Sequence, residues 1–125
     1  MEIVNILLGA GIASIVPVLT LVLSNSRWKK EKRIDHLRRK YEKLEKVYIA
    51  VNEALPKAVV DNSYPSHITS LITTHGSEEV KKVFWDFMSI KGKTDEQRKT
   101  FIFSMSSATN KHLLEIDKKI EDILT

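Results

Sequence analysis

The chain has no cysteine. This removes thiol nucleophiles, thiolate zinc sites and disulfide frameworks together, and it suits a reducing compartment. Glycine and proline are scarce, four and three in 125 residues. That excludes collagen-like and low-complexity chains. Positive charge is missing from the first 26 residues, because all 20 Lys and Arg stand at or after Arg27. Catalytic motifs are missing too. None of His36, His67, His75 and His112 has another His three or four residues away, so no helical face offers a pair of imidazole ligands. His112 and Glu115 stand one turn apart as His-x-x-Glu. Di-iron bundles use the opposite order with further carboxylates, so this reads as a surface pair. Gly9 and Gly11 lie inside an apolar run rather than a phosphate-cradling loop. No elbow motif surrounds Ser66, Ser104 or Ser106. Phe84, Trp85, Phe87, Phe101 and Phe103 recur at helical spacing and read as core, not as a ligand cage. The expectation is a protein that is not an enzyme, with no catalytic residue, cofactor or metal.

What is present divides the chain sharply. Ile3 to Leu23 is a 21-residue run without a charge, with Asn5, Ser14 and Thr20 as its polar residues. As a helix it would be about 31 Å long, close to the roughly 30 Å hydrocarbon core of a bilayer. Pro17 is tolerated in such a helix. A cleaved signal peptide would carry positive charge before the run and small residues after it. Here Glu2 precedes and Arg27-Trp28-Lys29-Lys30 follows, the reverse order. The run therefore reads as an uncleaved signal anchor. A buried core helix is the competing reading, and it would ordinarily be shorter and carry a polar stripe. Within the run, Gly9/Ala13 and Ala10/Ser14 are small pairs at i, i+4. Such a face lets two spanning helices approach closely, although Gly and Ala are common enough in membrane helices to explain it by composition.

Residues 27 to 40 hold Arg27, Lys29, Lys30, Lys32, Arg33, Arg38, Arg39 and Lys40 against Glu31 and Asp35, net +6. Positive residues beside a span stay in the cytoplasm, and Trp28 falls where an indole suits the membrane boundary. The expected topology is a single pass through the cell membrane, N-terminus outside and C-terminal domain cytoplasmic. The basic run admits three readings: a topology signal alone, a contact for anionic lipid head groups, or a nucleic-acid surface. The third fits least, since only three residues separate Arg27 from the apolar run. Residues 47 to 125 carry ten basic and eleven acidic residues, net −1. Nucleic acid is therefore not an expected partner.

Beyond the run the periodicity is helical throughout. Ile34, Leu37, Tyr41, Leu44, Tyr48, Val51 and Leu55 alternate spacings of three and four, a heptad seam. From Val47 the stripe widens through Ile49, Ala50 and Ala54, and Pro56 predicts a break or kink at Leu55. Asp61 to Pro65 is loop chemistry. A short helix is predicted from near Pro65 to Gly76, with Ile68, Leu71 and Ile72 inward. Ser77 with Glu78 and Glu79 predicts a third helix start, and Lys91-Gly92 its end. Thr94 to Gln97 fits a capping box. The last helix then runs almost to the end, its seam completed by Leu113, Ile116, Ile120 and Ile123.

The expected fold is all-α. Residues 1–26 form the transmembrane signal anchor, with the span at 3–23. Residues 27–46 form a basic juxtamembrane stalk helix, and 47–125 a small cytoplasmic antiparallel bundle. This layout is similar to that of many small bacterial and phage-encoded membrane proteins, a likeness of architecture that carries no residues across. Two functions compete. One is a non-enzymatic, membrane-anchored interaction or scaffold protein whose helical domain self-associates or docks a protein partner. The other is a membrane-acting effector of holin-like, toxin or phage-defence type, whose spans oligomerise under control of the bundle. The expected partners are the bilayer, its anionic lipids, and a second copy of the chain or another protein.

Overall fold

The computed structural model describes the backbone of residues 2–125 and the side chains of residues 23–125. Among the described residues the chain is all-helical: α1 Glu2–Asp61, α2 Ser66–His75, α3 Glu78–Met88 and α4 Asp95–Leu124. It divides into two compact units, Met1–His36 and Leu37–Thr125. No helix is long and apolar enough to cross a membrane among the described residues. The expected span, apart from Leu23, falls outside the described side chains, as do Gly9, Ala10, Ala13 and Ser14.

The second unit is a helical bundle. Its α1 segment carries Leu44, Val47, Tyr48, Val51, Leu55, Ala58 and Val59 inward. Of the break or kink expected at Pro56, the break does not occur: α1 continues to Asp61. A proline inside a helix costs about 3 kcal/mol. Leu55 and Val59 flank it and are both buried, each worth about 1.5–3 kcal/mol. Pro56 itself is exposed, so burial on the inner face outweighs the missing hydrogen bond. The helix stops instead at Asn62, which adopts φ 50°. The Ser63 N–H then donates back to the Ala58 carbonyl at 3.1 Å, closing a Schellman-type cap. Asparagine tolerates this left-handed conformation better than most residues.

Helix α2 buries Ile68 and Ile72. Gly76 ends it in extended geometry and not in the left-handed region. A Cβ there would sit 2.5 Å from the Ile72 carbonyl oxygen, closer than any side chain tolerates. Ser77 caps α3 by accepting the Val80 N–H, with Glu78 and Glu79 in the first turn. Val80, Phe84 and Phe87 are buried. This helix ends at Met88, three residues before the predicted Lys91-Gly92 stop. Gly92 does adopt φ 67°, but in the connection to α4. Thr94 and Gln97 form both halves of the capping box, as their spacing predicts. Helix α4 buries Phe101, Met105, Ala108, Thr109, Ile116 and Ile120.

Neighbours run antiparallel. On α3 and α4, Phe87 stacks on Phe101 while Glu79 pairs with Lys111, so one helix ascends as the other descends. On α1 and α4, Tyr48 meets His112 and Asn52 meets Thr109, which gives the same sense. Two sequence expectations need correction. Ile49, 50% exposed, and Ala50, also exposed, are not part of the inward stripe. Of the aromatic group, Trp85 and Phe103 are 48% and 75% exposed, and Phe84, Phe87 and Phe101 alone are core. Helical spacing places a residue within about a hundred-degree arc, but the neighbours decide where the covered arc ends.

Candidate functional site

The basic run occupies consecutive turns of α1. Arg27, Trp28, Lys29, Lys30, Lys32, Arg33, Arg38, Arg39 and Lys40 are all exposed. Arg27, Lys29, Lys30, Lys32 and Arg33 belong to the first unit, and Arg38, Arg39 and Lys40 to the second. The Lys32 ammonium lies 4.0 Å from the centroid of the Trp28 ring, a cation–π contact that braces one turn of the run. Ile34, Leu37 and Tyr41 are half-buried, and the fully buried positions of α1 begin at Leu44. In the remaining seam, Tyr48, Val51, Leu55, Ile116 and Ile120 are buried, and Leu113 and Ile123 half-buried.

The seam between α1 and α4 also holds polar groups that periodicity does not reveal. The Asn52 side-chain amide donates to the Thr109 hydroxyl at 3.1 Å. That hydroxyl in turn donates to the Ser106 carbonyl at 3.0 Å. Thr109 is 0% exposed, so both of these bonds are needed to keep a buried hydroxyl satisfied. One turn away, the Tyr48 hydroxyl meets Nδ1 of His112, with ring centroids 5.7 Å apart. Burial raises the Tyr48 pKa, against an opposing pull from Ser77. Burial likewise holds His112 below the usual imidazole range; Glu115 opposes this, while Lys40 and Lys119 reinforce it. Both directions favour neutral partners, joined by one hydrogen bond between the phenol and Nδ1.

His112 is therefore not the surface partner of Glu115 that its spacing predicts. It faces Tyr48 across the seam, and Glu115 acts on it only at longer range. Nothing local in the sequence marks this pair, whose members are 64 positions apart. The available signal was a His and a Tyr each falling on the apolar stripe of its own helix.

Among the described residues no group of three or more His, Asp or Glu is placed to hold a metal ion. The described ion pairs, Glu78–Lys81, Asp95–Arg98 and Glu79–Lys111, link partly or largely exposed side chains. Pairs of this kind contribute little to stability. Comparison of the chain with protein-family models, curated proteins and solved structures finds no match in any of the three.

Proposed function

We propose that the protein is a non-enzymatic, single-pass membrane-anchored interaction module, with its helical bundle on the cytoplasmic side. The observation that carries this reading is the junction at residues 23 to 27. An uncharged run of bilayer length, Ile3 to Leu23, is followed within four residues by a run of net +6. The exposure of every basic side chain from Arg27 to Lys40 supports it, because a positive-inside signal and a head-group contact both need charges that face water and lipid. The bundle supports the interaction half of the reading. It is small, so its own core is worth only ~3–5 kcal/mol and leaves room for stabilisation by a second copy or a partner.

Membrane fractionation together with reporter fusions at Thr125 tests this. The anchored reading expects the chain to stay with membranes through an alkaline carbonate wash, and a reporter active only inside the cell. Release by carbonate, or a reporter active outside, overturns it. Membrane potential followed during induced expression separates the two functions. A scaffold leaves it unchanged, whereas depolarisation would move the reading to an effector acting through the small-residue face at Gly9, Ala10, Ala13 and Ser14.

A further inference from the structure

A cavity of about 420 Å³ lies where α1, the α2–α3 junction and α4 come together. Its lining includes Lys40 and Lys43 from α1, His75 and Ser77 from the junction, Glu78 from α3 and His112 from α4. Among the described residues neither Lys40 nor Lys43 is in an ion pair. The acid in this lining, Glu78, is paired with Lys81 at 3.6 Å. The next acid along, Glu79, is paired with Lys111 at 3.1 Å. Two ammonium groups and two imidazoles, drawn from three elements, thus share one concave space, with Glu78 at its edge and Glu115 acting on His112. The two ammonium groups repel each other, and an anion between them removes the repulsion.

The hydrogen-bond inventory points the same way. Lysine ammonium groups offer donors and no acceptor. The Ser77 hydroxyl is already engaged, accepting the Val80 N–H at 3.2 Å and bonding to Tyr48, so it lines the cavity without a spare donor. Tyr48 occupies Nδ1 of His112, so Nε2 is the ring nitrogen left to meet a ligand, and it donates once the ring is charged. Donors from several directions match a tetrahedral anion with three or more oxygens better than a planar carboxylate with two. We propose that this cavity is a binding site for a small phosphate-bearing anion, with Lys40 and Lys43 supplying the charge and His75 and His112 the directional hydrogen bonds. The site does not depend on membrane anchoring. The environment of His112 is consistent with it: the ring is kept neutral by burial, with Lys40 and Lys119 acting in the same sense, and a bound anion would favour the charged ring.

The test uses the full chain in neutral-lipid nanodiscs with labelled histidine, titrated with inorganic phosphate while NMR follows the four imidazoles. Saturable shifts at His112 and His75 are expected, together with a rise in the His112 pKa at saturating phosphate. Lys43→Gln should weaken the binding about tenfold, the effect of losing one charge-assisted hydrogen bond. Lys99→Gln, an exposed control outside the cavity, should not. Repeating the measurement without phosphate in phosphatidylglycerol nanodiscs identifies the source. Shifts there assign the site to a lipid head group, and shifts with free phosphate alone assign it to a soluble ligand. The proposal is overturned by the absence of any saturable shift, by equal affinity in Lys43→Gln and the parent, or by the same response to chloride at matched ionic strength.

Discussion

Toward α3, helix α4 presents stacked rings; toward α1 it presents hydrogen-bonded polar pairs. Phe87 and Phe101 lie parallel with centroids 3.9 Å apart, and Phe84 adds a tilted contact at 6.3 Å. On the other side stand Tyr48–His112 and Asn52–Thr109. The two contacts have different physical jobs. Apolar burial is worth about 25 cal/mol per Å² and is non-directional, so the ring contact supplies energy and tolerates sliding. A neutral hydrogen bond nets only about 0.5–1.5 kcal/mol, yet an unmade one inside a seam costs ~1–3 kcal/mol, so the polar pairs penalise wrong registers. Slipping α4 by one turn against α1 would leave Thr109, which has no exposed surface, without the Asn52 amide. The difference between the two faces of α4 is therefore one of energy against register.

The comparison can be broken most forcefully on the ring side. Phe101→Ala should destabilise the bundle by about 3–5 kcal/mol. A core of this size supplies only ~3–5 kcal/mol in total, so thermal melts followed by circular dichroism should show most of the helical signal lost before the parent unfolds. A melting temperature within a few degrees of the parent would mean the stack is not the main source of stability.

The polar side should respond less but more specifically. Tyr48→Phe removes the hydroxyl that meets His112 and should cost about 0.5–1.5 kcal/mol. A double-mutant cycle with His112→Gln should return a coupling of about 0.5 kcal/mol or more, as expected for residues in contact. Additive losses would show that the pair contributes no register energy.

The same pair predicts a pH dependence. The folded His112 is held below its unfolded value by burial. A group with a lowered basic pKa binds fewer protons when folded, so stability rises with pH between the folded and unfolded values. Stability should therefore be complete above about pH 6.5, the ordinary imidazole value, and fall as the pH drops through the lower folded value. His112→Gln should flatten that part of the profile in chemical denaturation. A parent curve that is already flat there would show that the seam does not sense the proton.

The smallest effect concerns an imperfect hydroxyl beside the ring cluster. Tyr64 packs edge-on against Phe84 at 6.2 Å, and its hydroxyl is buried with no hydrogen-bond partner among the described residues. Tyr64→Phe removes that unsatisfied group and should leave stability unchanged or raise it by up to ~1 kcal/mol. A loss of more than ~1 kcal/mol would mean that the hydroxyl has a bonded partner, such as an ordered water.

Much of the fold was legible because it depends on neighbours in sequence. Ser77 and Thr94 cap helices at the positions their acidic and Gln followers mark. Leu44, Tyr48, Val51, Leu55, Ile116 and Ile120 occupy the buried stripe that three-and-four spacing assigns them. Pro56 does not end the helix, because its local penalty of about 3 kcal/mol is offset by the burial of Leu55, Ala58 and Val59, which only the bundle provides.

Residues read in order were enough for the all-helical class of the described residues, the N-caps at Ser77 and Thr94 and the abrupt charge boundary after Leu23. Each of these is a property of composition or of residues within one or two turns. The tertiary structure alone decided that Trp85 and Phe103 face outward and that α1 runs through Pro56. It also decided that His112 bonds Tyr48 and that Lys40 and Lys43 share a cavity with two histidines. Those outcomes join residues dozens of positions apart, and they follow from which helix faces meet when the apolar stripes are buried together, a choice that no local periodicity encodes.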